Sequence, residues 1–276
     1  MSSPENIRID RDGHTAVITL SRPEAHNALS FATLLELRAA LAEARFDEDL
    51  RTLIITGAGE KSFCAGADLK ERPSMSEAQV RRFVANIREL MDDIENFPAP
   101  VIAAINGFAF GGGLELALAC DLRIAAPTAQ LGLTECRLAI IPGAGGTQRL
   151  PRIVGIGKAK ELILTGRRIG APEAQSINLI NEVAADPLSR AREVAAEIDE
   201  CGPLAVRQAK RAINAGSGVD LTTGLAIEAE CYKVIIPTED RLEALAAFRE
   251  KRPPPLQGQV GDTDRAEQIG ELALTP

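Results

Sequence analysis

Apolar residues in the first part of the chain fall into short, dense runs. Ile7–Asp10 and Thr15–Leu20 read as β-strands around Asp12-Gly13, a dipeptide that favours a tight hairpin. The period then changes. Leu34, Leu37 and Leu41 recur at helical spacing behind Ser30, a suitable N-cap, and predict a helix over Phe31–Phe46. Thr52–Thr56 is a buried-strand pattern ending at Gly57, and Gly57–Leu69 is expected to be a loop of glycine and small residues. Val80, Phe83, Ile87, Leu90, Met91 and Ile94 predict a helix over Ser76–Asn96, which Pro98 and Pro100 end. Val101–Ile105 and Leu122–Ala125 repeat the strand pattern. Between them, Gly111–Gly113 opens the apolar run Leu114–Cys120, which suits a buried helix. Ala139–Gly146 is a Pro/Gly loop. Beyond Gly157 helical patterns dominate: Lys158–Thr165, Leu188–Asp199, Leu204–Asn214, Leu221–Val234 and Thr238–Lys251. The tail from Pro253 is expected to be extended and poorly ordered at its start. Strands alternating with helices, followed by helices alone, argue for an α/β class.

Composition narrows the choice of partners. The 276 residues suffice for one large domain, or one with an appendage. Aromatic residues make up only 3%, so the core must be built from Ala, Val, Ile and Leu. A net charge of -8 repels nucleic acid and anionic lipid unless a basic patch overrides it. The helix Phe31–Phe46 shows no such patch, because Arg38 and Arg45 are matched by Glu36 and Glu43. Arg81, Arg82 and Arg88 share the next helix with Glu77 and Glu89 and read as a solvated face. Five cysteines without a CxxC pair point to reduced thiols. The two histidines, His14 and His26, form no cluster, so no metal site is expected. The start Met1–Asp12 is polar and acidic, unlike a signal or transit peptide, and no apolar run has membrane-spanning length. A cytoplasmic location is expected.

Two glycine runs invite a nucleotide-binding reading and fail it. Gly111-Gly112-Gly113 follows a strand and opens a helix, but no GxGxxG or Gly-Lys-Ser/Thr is present. Gly143-Ala144-Gly145-Gly146 also lacks the lysine. A glycine-led helix N-terminus still offers unpaired N–H groups, which suit a carbonyl turning into an enolate. A tight helix–strand junction explains the run equally well. Two acids stand out beside these loops. Glu115 lies in Gly-Gly-Gly-Leu-Glu-Leu-Ala-Leu-Ala, and Glu135 in Leu-Gly-Leu-Thr-Glu-Cys-Arg-Leu-Ala-Ile-Ile. Burial raises a carboxyl pKa toward neutrality and suits acid–base work. The alternative is a pair of salt-bridged structural acids, with Arg137 placed to pair with Glu135. Cys64 and Cys136 read as packing residues, since no histidine is placed to activate them. Asp68 reads as a helix cap.

Three long segments carry a resemblance: Ser62–Glu71, Asn106–Asp121 and Ile140–Leu150. Together with Arg22–Leu29, they resemble the enoyl-CoA hydratase, or crotonase, family over about Ile7–Pro253. The resemblance implies a spiral of repeated β-β-α units over residues 1–200. A helical oligomerisation segment with a Pro-rich tail would follow over 201–276, packing trimers that often pair into hexamers. It implies oxyanion-hole donors at the N–H groups of Ala67 and Gly112, and catalytic acids at Glu115 and Glu135. Acyl-CoA contacts would come from Ala25, Ala28, Ala65, Ala67, Asp68, Leu69, Lys70 and Gly112. Coenzyme A is then part of the substrate, and no other cofactor is required.

Gly113–Asp121, Arg137–Pro142, Val219–Glu228 and Phe248–Pro254 are most similar to the methylglutaconyl-CoA hydratases, one type of which also binds AU-rich RNA. That type carries lysines along the first long helix, where this chain has none, so RNA is not an expected partner. A glutaconyl substrate would favour a cation near its far carboxylate, and Lys70, Arg72, Arg81 and Arg82 are candidates, each equally at home on the surface. Lys251 and Arg252 would serve the last helix's dipole or meet coenzyme A phosphates. The expected activity is hydration of a short 2-enoyl-CoA. Double-bond isomerisation, thioester hydrolysis and a non-catalytic RNA- or CoA-binding role are the rivals.

Overall fold

A computed structural model describes residues 6–71 and 75–258 of the chain. Two compact units divide between Ala195 and Ala196. In the first, β1 (Ile7–Asp12) and β2 (Thr15–Leu20) pair antiparallel with Asp12 opposite Thr15. The turn is therefore Gly13-His14, one residue later than expected. Helix α1 (Phe31–Ala44) starts at Ser30, whose hydroxyl accepts the Thr33 N–H at 3.1 Å. A cap of this kind is worth about 1 kcal/mol.

A repeating unit follows: β3 (Thr52–Gly57), β4 (Ser62–Cys64) and α2 (Glu77–Glu95), then β5 (Val101–Ile105), β6 (Phe108–Phe110) and α3 (Gly112–Ala119). The third unit is β7 (Leu122–Ala125), β8 (Gln130–Gly132) and a 3-10 turn over Glu135–Leu138. The chain continues through α4 (Gly146–Val154), α5 (Ile156–Thr165), β9 (Ile169–Gly170), α6 (Ala171–Ser176), β10 (Glu182–Val183) and α7 (Pro187–Asp199).

Each unit lays its first strand in one sheet and its second in another. Among the described residues the orders are β1-β2-β3-β5-β7-β10 and β4-β6-β8-β9. All neighbours run parallel except β1 with β2 and β8 with β9. An isolated parallel bridge from Leu29 to Ala67 adds a rung before β4, so β2, Leu29 and α1 form one more turn of the same spiral. This is the β-β-α spiral expected from the resemblance. The strands β4, β6 and β8 are a correction, because β4 lies inside the expected loop Gly57–Leu69. Three residues are too few to show a period.

The core explains the sequence pattern. Every residue of β3 and β5 is buried, which is why both read as unbroken apolar runs. Phe83, Ile87, Leu90, Met91 and Ile94 form the buried face of α2, whose start is fixed by reciprocal bonds between Ser76 and Gln79. Each fully buried Leu, Ile or Phe contributes about 1.5–3 kcal/mol. The surface charges pair differently from expectation. Arg38 of α1 bonds Glu89 and Asp93 of α2 rather than Glu36.

The second unit holds α8 (Pro203–Gly216), α9 (Leu221–Ile235) and α10 (Glu239–Glu250). Helices α8 and α9 come close enough that a methyl on Gly216 would lie 3.6 Å from Gly224 Cα. Within these helices Pro203, Cys231 and Ala247 are buried, while Ile213, Leu221, Leu225, Tyr232 and Phe248 stand exposed. Arg252 bonds Glu243 and Glu250, and Lys251 closes α10 in a left-handed conformation. Asp240 accepts the N–H groups of Gln257 and Gly258, tying the start of the tail to α10. The rest of the tail lies outside the described residues. Among the described residues no helix is long and apolar enough to cross a membrane.

Candidate active site

The loop after β4 and the N-terminus of α3 are pressed together by glycine. Gly66 has φ +94, a conformation that L side chains avoid, and a methyl there would lie 2.7 Å from the Phe110 carbonyl oxygen. A methyl on Gly112 would sit 3.5 Å from Ala67 N, so the two amides are neighbours. Leu29 N–H donates to Gly66 O at 2.8 Å and Asp68 N–H donates to Leu29 O at 2.9 Å. Alternation along the strand turns the intervening Ala67 N–H the opposite way. Gly112 is the first residue of α3, where an N–H has no intrahelical acceptor. Among the described residues neither amide has an acceptor.

Both amides open into a cavity of about 570 Å³, a size typical of small-molecule sites. Val80, Val84 and Ile87 of α2 form one wall, and Leu138, Ile140 and Ile141 another. Of the expected substrate-binding residues, Ala65, Ala67, Leu69 and Gly112 line the cavity, and Ala25, Ala28, Asp68 and Lys70 do not. Ala25 and Ala28 lie in a turn bound to the same loop. His26 O accepts the Ala65 N–H at 3.0 Å, and the Asn27 amide donates to the carbonyls of Ala58 and Ser62. Among the described residues Asp68 caps no helix. It accepts the Lys70 N–H at 3.1 Å in a turn and pairs with Arg22 at 3.0 Å.

The two acids meet in this cavity from different supports. Glu115 stands in the first turn of α3 and is 3% exposed. Its Oε1 accepts the N–H groups of Ala144 and Gly146, each at 2.8 Å. Burial raises its pKa overall, and those two bonds and the charges of Arg149 and Arg88 offset part of the rise. Glu135 begins the 3-10 turn after β8. Its Oε2 is buried without a hydrogen-bond partner. Burial, and secondly the charge of Glu115, push its pKa up to about 7. Arg137 is not its partner, since its guanidinium donates to the Thr165 carbonyl instead.

The amides of Ala144 and Gly146 were not foreseen. Their signal in the sequence is the run Gly143–Gly146, which fails as a phosphate loop. Arg88 was also missed. It is the cation lining the cavity among the described residues, and it holds only Gly143 O, at 3.3 and 3.4 Å. Lys70, Arg81 and Arg82 do not line it, and Arg72 lies outside the described residues. Arg81 pairs with Glu77, and Arg82 lies over the Phe31 ring. Cys64 is fully buried beneath the site, and burial lifts its thiol to about 12, in keeping with a packing role. Among the described residues no group of three or more His, Cys, Asp or Glu could hold a metal ion.

A β-β-α spiral thus gathers two carboxylates and two free amides in one apolar cleft. Comparison with known proteins gives it a family. The family model described as enoyl-CoA hydratase/isomerase matches residues 10–259. The crystal structure of an enoyl-CoA hydratase from Bacillus anthracis superposes with a TM-score of 0.91 at 54% identity, covering 92% of this chain and all of that one. The human mitochondrial enoyl-CoA hydratase domain-containing protein 2 is 52% identical over 248 residues, 88% of this chain and 85% of that protein. Human mitochondrial methylglutaconyl-CoA hydratase is 50% identical over 249 residues, 88% and 74% of the two chains. The chain belongs to the enoyl-CoA hydratase/isomerase, or crotonase, family.

Proposed function

We propose that this protein adds water across the double bond of a short 2-enoyl-CoA and yields the 3-hydroxyacyl-CoA. One observation carries the reading: two buried acids in opposite hydrogen-bonding states share a cavity with two unpaired amides. The thioester oxygen sits between the N–H groups of Ala67 and Gly112, which stabilise the charge it gains. Losing one such donor costs about a hundred- to a thousandfold in rate. Glu115 is held as a carboxylate by two N–H groups on Oε1, which leaves Oε2 to take a proton from water. The water oxygen bonds the β-carbon, and the double-bond electrons move onto the thioester as an enolate. Glu135, with no donor on its buried oxygen, starts protonated and delivers that proton to the α-carbon, while the second hydrogen of the water stays on the new 3-hydroxyl. After product leaves, Glu115 loses its proton to solvent and Glu135 regains one, which restores the starting state. The pair shares titration, so its two pKa values belong to both acids. This chemistry uses coenzyme A only as part of the substrate.

The methylglutaconyl-CoA hydratases among the relatives suggest a substrate with a second carboxylate. Arg88, without a carboxylate partner among the described residues, is the group that would receive it. We also propose that copies of this chain, as a trimer or paired trimers, cover the exposed apolar residues of α8–α10. Light scattering reads that directly.

The test follows the loss of enoyl-thioester absorbance with crotonyl-CoA and methylglutaconyl-CoA side by side, for wild type and Glu135→Gln. Loss with either substrate, abolished by the substitution, supports hydration, and the ratio chooses between the two substrates. No loss in a folded protein that binds coenzyme A would sink the reading and bring isomerisation forward.

A further inference from the structure

Arg149 takes no part in the chemistry above, yet it is built into the support of Glu115. It stands in the first turn of α4 with 11% of its side chain exposed. Two acids in the last turn of α2 hold its guanidinium. Nη2 donates to Asp92 at 2.9 Å, and Nε donates to Glu95 at 3.2 Å. Nη1 donates to the Ala144 carbonyl at 3.1 Å. Ala144 is also one of the two residues whose N–H reaches Glu115 Oε1. The other, Gly146, follows Gly145, whose φ of +104 lets two N–H groups two residues apart converge on one oxygen. A methyl on Gly145 would overlap Arg149 Nη1. One side of this peptide is therefore fixed on Glu115 and the other on Arg149.

We propose that Arg149 is a positioning residue for Glu115: braced by Asp92 and Glu95, it holds the Ala144–Gly146 peptide so that both N–H groups stay on Glu115, and it sets its positive charge behind them. The function of this device rests on Glu115 being the base of the proposed hydration. Among the described residues, the charged groups around Glu115 are Arg88, Asp92 and Glu95 from α2, Arg149 from α4, and Glu135 from the 3-10 turn. Cys64 of β4 is a neutral thiol, and α3 brings no other charge. Arg149 and Arg88 favour the carboxylate, Glu135 opposes it when ionised, and Asp92 and Glu95 offset part of the Arg149 charge.

Two readouts test this. One is the acid limb of the pH profile of kcat/KM for hydration. The other is the titration of the Glu115 carboxyl in the free protein, taken as the infrared difference from Glu115→Gln. Arg149→Gln should move both upward by about one pH unit, which is about tenfold less activity on the limb. Arg149→Lys keeps the charge but cannot fork between α2 and Ala144, so the limb should stay while kcat falls. Glu95→Gln, on a half-exposed acid, should move the limb slightly downward, and it reads the same charge if Arg149→Gln does not fold. A loss of kcat with limb and titration unmoved in Arg149→Gln would make the role purely structural and overturn the inference, as would an unmoved or upward limb in Glu95→Gln. Should wild type hydrate nothing, the infrared titration still reads the device while the hydratase reading falls alone.

Discussion

Glu115 and Glu135 face one cavity from opposite kinds of surroundings. The loop around Glu115 is organised to accept a negative charge, with two N–H groups on one oxygen and two guanidiniums nearby. The turn around Glu135 offers one oxygen nothing and places it beside another acid. Chemically identical side chains thus meet different surroundings: backbone N–H groups and guanidiniums offset the burial of Glu115, while nothing comparable offsets that of Glu135. The Glu115 side is rigid and satisfied. The Glu135 side is costly for the fold, and such cost concentrates where a group does chemistry.

Breaking the unsatisfied side should have the largest effect. Glu135→Gln removes the transferable proton and should lower the hydration rate by about a hundred- to ten-thousandfold, read from enoyl absorbance. The amide frame should come next. A methyl on Gly113 would overlap the Cys64 carbonyl oxygen, so Gly113→Ala must push α3 off β4 and displace the Gly112 N–H. A kcat loss of about a hundredfold is expected, with the helical content unchanged by circular dichroism.

The same Glu135→Gln variant should gain stability, and this sharpens the contrast. Burial and the neighbouring Glu115 push the Glu135 carboxyl up to about 7 in the folded chain, from an ordinary 4.5. The folded chain therefore holds this proton more tightly than the unfolded one. Stability is unaffected below about pH 4.5 and falls as pH rises to about 7. That difference is worth roughly 3 kcal/mol. Urea denaturation at pH 8 should find the variant more stable than wild type by up to that amount, and below pH 4.5 the advantage should vanish. Cys64 should give the smallest effect. Its thiol is buried and almost wholly protonated, so iodoacetamide should label exposed Cys201 and leave Cys64 intact in the native protein, by peptide mass.

Parts of this contrast were legible in the sequence. Both acids stood out because their neighbours are apolar, and long elements such as β3, β5 and α2 announced their period. Ser30 announced its cap. The second sheet was not legible, because β4, β6 and β8 are three residues each and pair only with strands of other turns. The amides on Glu115 come from a loop about thirty residues away, and a glycine run does not say which acid it will meet. Arg137 shows the converse error. Adjacency to Glu135 suggested a pair, but the 3-10 turn sends its side chain to Thr165.

The pH dependence of kcat/KM for hydration tests the division of roles between the two acids most directly. A bell is expected, with the acid limb reporting protonation of Glu115 and the alkaline limb near 7 reporting loss of the last proton, carried by Glu135. Activity that stays level from pH 6 to pH 9 would contradict it, because an ionised Glu135 has no proton to give.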